Sequence, residues 1–106
     1  MSSAVERAQP SAEVTEAKLR DYLDRTQQAL AKVRVCVAER SHLRRAAEDM
    51  LAMARAYHAD AQHFAARGDR VTAFAAVNYA HAWLDAGVRL GLLDGQGDDR
   101  LFTLAE

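Results

Sequence analysis

The fold is decided by residues 68–94, which read GDRVTAFAAVNYAHAWLDAGVRLGLLD. Gly68 and Asp69 predict the end of one helix and the cap of the next. A run of 21 residues follows, of which 14 are apolar, before Gly91 ends it. Because no other stretch of the chain is so apolar, we expect it to form the central helix of an all-α fold.

The segment before this helix favours two further long helices. Residues 11–67 contain neither glycine nor proline, so no residue there breaks a helix. Ser11 and Ser41 are suitable caps, and they predict helices over about residues 12–37 and 42–67. The first helix carries an apolar seam at steps of three and four residues, formed by Leu19, Leu23, Thr26, Leu30, Val33 and Val37. The second carries a seam formed by Leu43, Ala47, Met50, Ala54, Tyr57, Ala61 and Phe64.

Together these patterns predict one domain. It is an up-down-up antiparallel three-helix bundle over residues 11–94, with the third helix at about 70–90. Residues 1–10 are small and polar and predict a flexible leader. Residues 95–106 predict a short, partly ordered tail. Its apolar residues would be costly to leave in water, so we expect Leu101, Phe102 and Leu104 to fold back near the end of the third helix.

Four residues of the decisive stretch have a predicted structural role: Gly68, Asp69, Trp83 and Gly87. At 100° per residue, one face of the third helix carries small residues that let another helix approach closely. Those small residues are Ala73, Ala76, Ala80 and Gly87. We expect Trp83 to fill the remaining gap on this face.

Composition and charge exclude several classes of protein. The chain has 106 residues and a formal net charge of −1, which argues against a dedicated nucleic-acid binder. Its single cysteine, Cys36, excludes an internal disulfide and a cysteine-based metal cluster, and it fits a reducing compartment. The N-terminus lacks the apolar core of a signal peptide, and no apolar run is long enough for a membrane span. We therefore expect a cytoplasmic protein without cofactor, metal site or catalytic residues.

A narrow polar stripe interrupts the apolar third helix. It consists of Asn78, His81, Asp85 and Arg89, which step by three, four and four residues. Asp85 lies one turn from both His81 and Arg89 and can pair with either. Three interpretations remain open: a solvated face, a contact surface for a partner, or a hydrogen-bonded His81–Asp85 pair that serves catalysis or a metal.

Two further groups of polar residues are candidate sites. The first is an arginine cluster around the turn between the first two helices, which offers contacts to phosphate: Arg34, Arg40, Arg44 and Arg45. Neutralisation by acidic residues at the same end of the bundle, Asp94, Asp98 and Asp99, is the competing interpretation. The second group is His58 and His63, whose spacing of five residues differs from that of a helical zinc pair. Both are expected to be surface histidines.

The block from Asn78 to Gly91, NYAHAWLDAGVRLG, together with Gly68-Asp69, resembles a known family. Segments of the second helix, including Ser41-His42-Leu43 and Met53-Ala54-Arg55, fit the same pattern. On these residues the chain is similar, over roughly residues 19–94, to the small archaeal family called domain of unknown function (DUF) 357. The resemblance implies a three-helix bundle from an archaeal cytoplasm. It implies no activity and no catalytic residue.

Two hypotheses for function follow from these patterns. The first is a small non-enzymatic helical interaction or adaptor module, with a protein partner or a second copy, because the third helix is more apolar than one bundle position needs. Val71 and Phe74 also favour this hypothesis, because the sequence shows no polar, solvent-exposed face beside them. The alternative is an RNA-associated or nucleotide-processing helical protein that uses the arginine cluster and the His81–Asp85 pair.

Overall fold

Three helices carry most of the chain, and two very short strands join their ends. The computed structural model describes residues 11–102; the predicted leader and Leu104 lie outside this range. In chain order the elements are α1 (Glu16–Lys32), β1 (Arg34–Val35), α2 (Leu43–Ala66), α3 (Arg70–Arg89) and β2 (Leu93–Asp94). The predicted all-α fold of three packed helices is confirmed. Each helix contacts the other two, and α3 also contacts β2.

α1 is shorter at both ends than the sequence suggests. Its cap is Thr15, whose side-chain oxygen accepts a hydrogen bond from the Lys18 amide at 3.1 Å. Its last residue is Lys32, because Val33 has an extended backbone with ψ 146°. The predicted end at residue 37 is therefore wrong. The alternating β-branched residues that follow Lys32 favour an extended chain over a helix.

Those residues form a strand that pairs with the segment after α3. β1 and β2 are antiparallel, with Arg34 opposite Asp94 and Val35 opposite Leu93. The amide of Cys36 extends the pairing by donating to the Leu92 carbonyl at 3.1 Å. The ribbon was not predicted, because its two strands lie on either side of a helical hairpin. It fastens the end of α1 to the end of α3.

The turn between α2 and α3 is built by Gly68 and Asp69. Gly68 has φ +81°, a conformation that glycine adopts without steric cost. Its amide donates to the Ala65 carbonyl at 3.0 Å, and the Asp69 amide donates to the Phe64 carbonyl at 3.0 Å. This pair of hydrogen bonds is a Schellman motif. The Asp69 side chain then accepts from the Thr72 amide at 3.2 Å and caps α3.

The interior consists of two apolar clusters with polar residues between them. One lies at the ribbon end and includes Leu51, Leu84, Leu93 and Phe102; the other lies near the α2–α3 turn and includes Leu19, Ala61, Ala73 and Val77. His58 lies inside, only 5% exposed, and its Nε2 donates to the Leu23 carbonyl at 3.2 Å. The expectation of a surface histidine is therefore wrong for His58. The residue shares the α1-facing side of α2 with Ala54 and Ala61, which lie one turn away on either side.

Gly87 has a different role from the one expected for a small residue on α3. A Cβ atom at Gly87 would lie 2.7 Å from Leu93 Cγ and closer still to Leu93 Cδ1. The space is therefore needed by the first residue of β2, and not by a neighbouring helix. Trp83 is partly buried and packs against the apolar cluster at the ribbon end, whereas its neighbour Leu84 is 0% exposed.

Candidate functional site

The polar stripe of α3 does not form one continuous surface. Asn78, His81 and Asp85 line a groove of about 330 Å³ between α1, α3 and the tail residues 98–102. Arg89 is exposed and does not line this groove. The structure thus brings three of the four predicted residues together around a cleft that the tail closes on one side.

His81 bridges three parts of the molecule. Its Nε2 donates to the Leu101 carbonyl at 2.5 Å, because a carbonyl oxygen can only accept. Nδ1 then accepts from the Thr26 hydroxyl, at 2.9 Å. Asp85 Oδ1 is 3.9 Å from Nε2, which is too long for a hydrogen bond. His81 and Asp85 are therefore close without the hydrogen bond that one of the three open interpretations requires, and both ring nitrogens connect α3 to α1 and to the tail.

The tail is fixed to the bundle by a buried carboxylate. Asp98 Oδ1 accepts from the amides of Arg100 and Leu101 at 3.0 and 3.1 Å, and Oδ2 accepts from Lys32 Nζ at 2.9 Å. The hydrogen bond from Lys32, helped by these two backbone amides and opposed by desolvation, lowers the pKa of Asp98. Leu101 and Phe102, 9% and 3% exposed, are thereby held against the core.

The rim of the groove carries charges of both signs. Its lining residues include Arg25 and Arg100 as well as Asp85 and Asp99. Because these charges offset one another, the groove favours neither an anion nor a cation. Within residues 11–102 no group of three or more His, Cys, Asp or Glu side chains is placed to hold a metal ion. His81 is committed to Thr26 and Leu101, so the groove has the properties of a structural joint.

The predicted arginine cluster is partly occupied by contacts within the chain. Arg34 Nη1 donates to the carbonyls of Ala31, Lys32 and Val33. Arg44 donates to Glu48 Oε1 at 2.8 Å and to the Val37 carbonyl at 3.0 Å. Arg40 and Arg45 are exposed. The acidic partner of Arg44 is thus a residue of its own helix, while Asp98 pairs with Lys32.

A second surface lies on the exposed side of α3 and adjoins the groove at Ala82, which is also one of the groove's lining residues. Here we define the outer face of α3 as six exposed residues that alternate steps of three and four: Thr72, Ala75, Tyr79, Ala82, Ala86 and Arg89. This is the spacing of a seam between two paired helices. The signal was available in the sequence, but helix periodicity does not say which of two apolar sides faces the core.

Aromatic residues of α2 and α3 adjoin the outer face. The ring centroids of Tyr57 and Tyr79 are 4.4 Å apart, and those of Tyr79 and Trp83 are 6.3 Å apart. Tyr79 is 52% exposed. Within the described part of the chain, Trp83 Nε1 is the buried side-chain nitrogen or oxygen that lacks a hydrogen-bond partner. These rings form an apolar ledge that extends the outer face of α3 toward α2.

Comparison with known proteins identifies the family. The model of the family described as Protein of unknown function (DUF357) matches residues 21–93, which is well over half of the chain. The chain belongs to this family. No curated protein and no solved structure matches it.

The family match covers the two candidate surfaces unequally. The matched range contains the whole outer face of α3. It ends at residue 93, before the tail residues that close the groove. The outer face therefore belongs entirely to the part of this chain that defines it as a DUF357 protein. Among residues 11–102, no helix has the length and apolar character that a membrane span requires.

Proposed function

We propose that this chain is a small non-enzymatic helical interaction module, which binds a partner helix through the outer face of α3. One observation carries the proposal: between Arg70 and Arg89, no exposed residue of α3 is charged. The exposed side of a helix in a soluble protein normally carries charged and polar residues. An uncharged exposed side of this length is typical of a surface that a partner covers.

The residues at the two ends of this side support the same function. Val71 is 73% exposed and Leu90 is 68% exposed, the two highest values among the exposed large apolar residues of the described chain. Burial of such side chains contributes about 1.5–3 kcal/mol each when it is complete. A partner that covers the outer face would gain this contribution at both ends of the helix.

The chemistry of the centre suits a helix as the partner. Ala75, Ala82 and Ala86 present only methyl groups, so the backbone of a second helix can approach closely. Tyr79 projects between them and offers a ring and a hydroxyl, a combination that is enriched at interfaces. The alternation of small and large residues along one seam is the arrangement of knobs and holes in paired helices.

A matched pair of charge insertions tests this function. Ala75→Glu places a carboxylate in the outer face, whereas Ala59→Glu makes the same change at an exposed residue of α2 outside that face. Both variants should keep the helix content of the wild type, since each site is exposed. Proteins that co-purify with the tagged wild type should be retained by Ala59→Glu and lost by Ala75→Glu. Equal retention by the two variants would contradict the proposal.

The cellular compartment and the RNA-associated alternative stay predictions. We place the protein in the cytoplasm, supported by the exposed free thiol of Cys36, which suits a reducing compartment. The RNA-associated alternative stays a prediction. Arg34 and Arg44 already donate hydrogen bonds to backbone carbonyls of the chain itself. His81 is hydrogen-bonded to Thr26 and Leu101. A test is a variant in which Arg40 and Arg45 are replaced by Gln. Loss of an RNA that the wild type binds would favour the RNA-associated alternative.

A further inference from the structure

We infer that the occupant of the outer face is a second copy of this chain, with the two α3 helices antiparallel across a two-fold axis level with the Ala80–His81 peptide bond. This inference rests on the proposed function and names its partner. It follows from a symmetry in the order of exposed residues along α3. A two-fold interface requires that each residue on one copy suits the residue that it meets on the other.

The residues that meet in such a pair are found from their distance along the helix to this midpoint. Residues at equal distances on its two sides meet across the axis, as in an antiparallel pair of helices with heptad spacing. Tyr79 then lies opposite Ala82 of the other copy, so a ring fills the space left by a methyl group. Ala75 lies opposite Ala86, which allows close approach of the two backbones.

The residues at the two ends of α3 fit the same two-fold axis. Val71 and Leu90 are equally far from the midpoint, and they are the two most exposed large apolar residues of the described chain. Antiparallel pairing brings Val71 of each copy to Leu90 of the other. A parallel pair would instead place Tyr79 against Tyr79 at its centre, where the two rings compete for one space. The antiparallel arrangement therefore explains both the central and the terminal residues.

Charge also favours a second copy over a charged partner. The outer face has no charge between Arg70 and Arg89, so it offers nothing that would select an acidic or a basic helix. Each chain has a formal net charge of −1, so two copies repel each other only weakly. An uncharged surface is best matched by another uncharged surface, since neither then buries an unpaired charge.

The area needed for a stable pair requires a contribution from α2. α3 has 20 residues, and a helix of this length is about 30 Å long and 10–12 Å wide, a footprint of roughly 300 Å². Stable interfaces bury about 800 Å² of accessible surface per partner. Tyr57, in ring contact with Tyr79, and Met53, one turn before it, extend the contact to a second helix. The expected assembly is therefore a four-helix bundle of two α2–α3 hairpins.

Sedimentation equilibrium tests whether a second copy binds. The wild type at micromolar concentration should sediment as a species of twice the chain mass of 11.7 kDa, as should Ala59→Glu. Ala75→Glu and Ala86→Lys should each sediment as monomers with unchanged helix content. An equimolar mixture of these two variants should form dimers again. The reason is that the carboxylate introduced in one copy meets the ammonium group introduced in the other in the antiparallel pair and nowhere else.

Cysteine cross-linking tests the orientation. With Cys36→Ser as background, a chain with Ala75→Cys should form disulfide dimers with a chain carrying Ala86→Cys, and neither variant should form them alone. Cross-linking of Ala75→Cys with itself would overturn the antiparallel arrangement. A wild type that stays monomeric while Ala75→Glu still loses a co-purified protein would overturn the second copy as occupant and leave the proposed function standing. Dimers that Ala75→Glu does not dissociate would also overturn the second copy as occupant of the outer face, and the co-purification result would then decide the proposed function separately.

Discussion

On α3 the usual relation between polarity and exposure is reversed, because one side has partly buried polar residues and the other has exposed apolar residues. The side toward α1 and the tail holds His81 and Asp85, which are partly buried, while the adjoining side exposes alanines, Tyr79 and Leu90. The polar side is covered because its imidazole finds partners in Thr26 and Leu101. The apolar side has no such cover within the described chain. Polar residues of a helix can therefore be partly buried when neighbouring segments supply hydrogen-bond partners.

The largest difference between the two sides should appear on truncation of leucine. Leu84→Ala on the inner side should reduce the free energy of unfolding by about 3 kcal/mol, because Leu84 is fully buried and its removal leaves a cavity. Leu90→Ala on the outer side is the matched control and should change it by less than about 0.5 kcal/mol in dilute protein. Denaturant titration measures both values. Equal losses would mean that the two sides are equally covered.

A smaller effect is expected where α3 meets β2. Gly87→Ala should destabilise the protein by about 1–2 kcal/mol, since the new methyl group overlaps the Leu93 side chain. The control is the same change in a Leu93→Ala background. There the overlap is gone and the better helix propensity of alanine should make Gly87→Ala stabilising by up to about 1 kcal/mol. An unchanged sign in the two backgrounds would contradict the role given to Gly87.

The hydrogen bond that covers the inner side can be removed almost without change of shape. Thr26→Val deletes the hydroxyl that His81 Nδ1 contacts and should cost about 1 kcal/mol, because Thr26 is 2% exposed and the nitrogen loses its partner. Thr72→Val makes the same replacement on the outer face and should be close to neutral. Thermal denaturation at one protein concentration compares them. A neutral Thr26→Val would show that the His81 bridge contributes nothing to stability.

The smallest expected effect concerns the tail and its dependence on pH. The pKa of Asp98 is lowered in the folded protein by the hydrogen bond from Lys32. Its contribution is therefore fully present above the pKa of an unfolded aspartate and is lost as the pH falls through the lower folded value. Lys32 is 38% exposed, so solvent screens the pair.

Replacement of the carboxylate tests this dependence. Asp98→Asn should lower the melting temperature at neutral pH, and the difference from wild type should shrink toward strongly acidic pH. Asp99→Asn removes the same charge one residue along the chain and is the matched control, with a smaller effect at neutral pH. A difference between wild type and Asp98→Asn that grows on acidification would reverse the assigned sign.

The features that could be predicted from the sequence are those fixed by neighbouring residues. The absence of glycine and proline from residues 11–67 predicts long helices, and Gly68 with Asp69 predicts the sharp turn between two of them. The same local reasoning failed at Val33, where the helix ends and the β-branched run becomes β1. An isolated extended run gives no stable strand until a second strand pairs with it, and that strand lies far along the chain.

What only the tertiary structure decided are contacts between residues distant in sequence. Thr26 is 55 residues from His81, and β1 meets β2 across the whole α2–α3 hairpin. Helical periodicity places residues on one side of a helix, but it does not determine which neighbour that side will meet. For this reason the sequence determined three helices, their turn and the presence of a polar stripe. The packing of α1 and the tail decided that His81 and Asp85 of the stripe are partly buried and that the alanine seam of α3 remains outside.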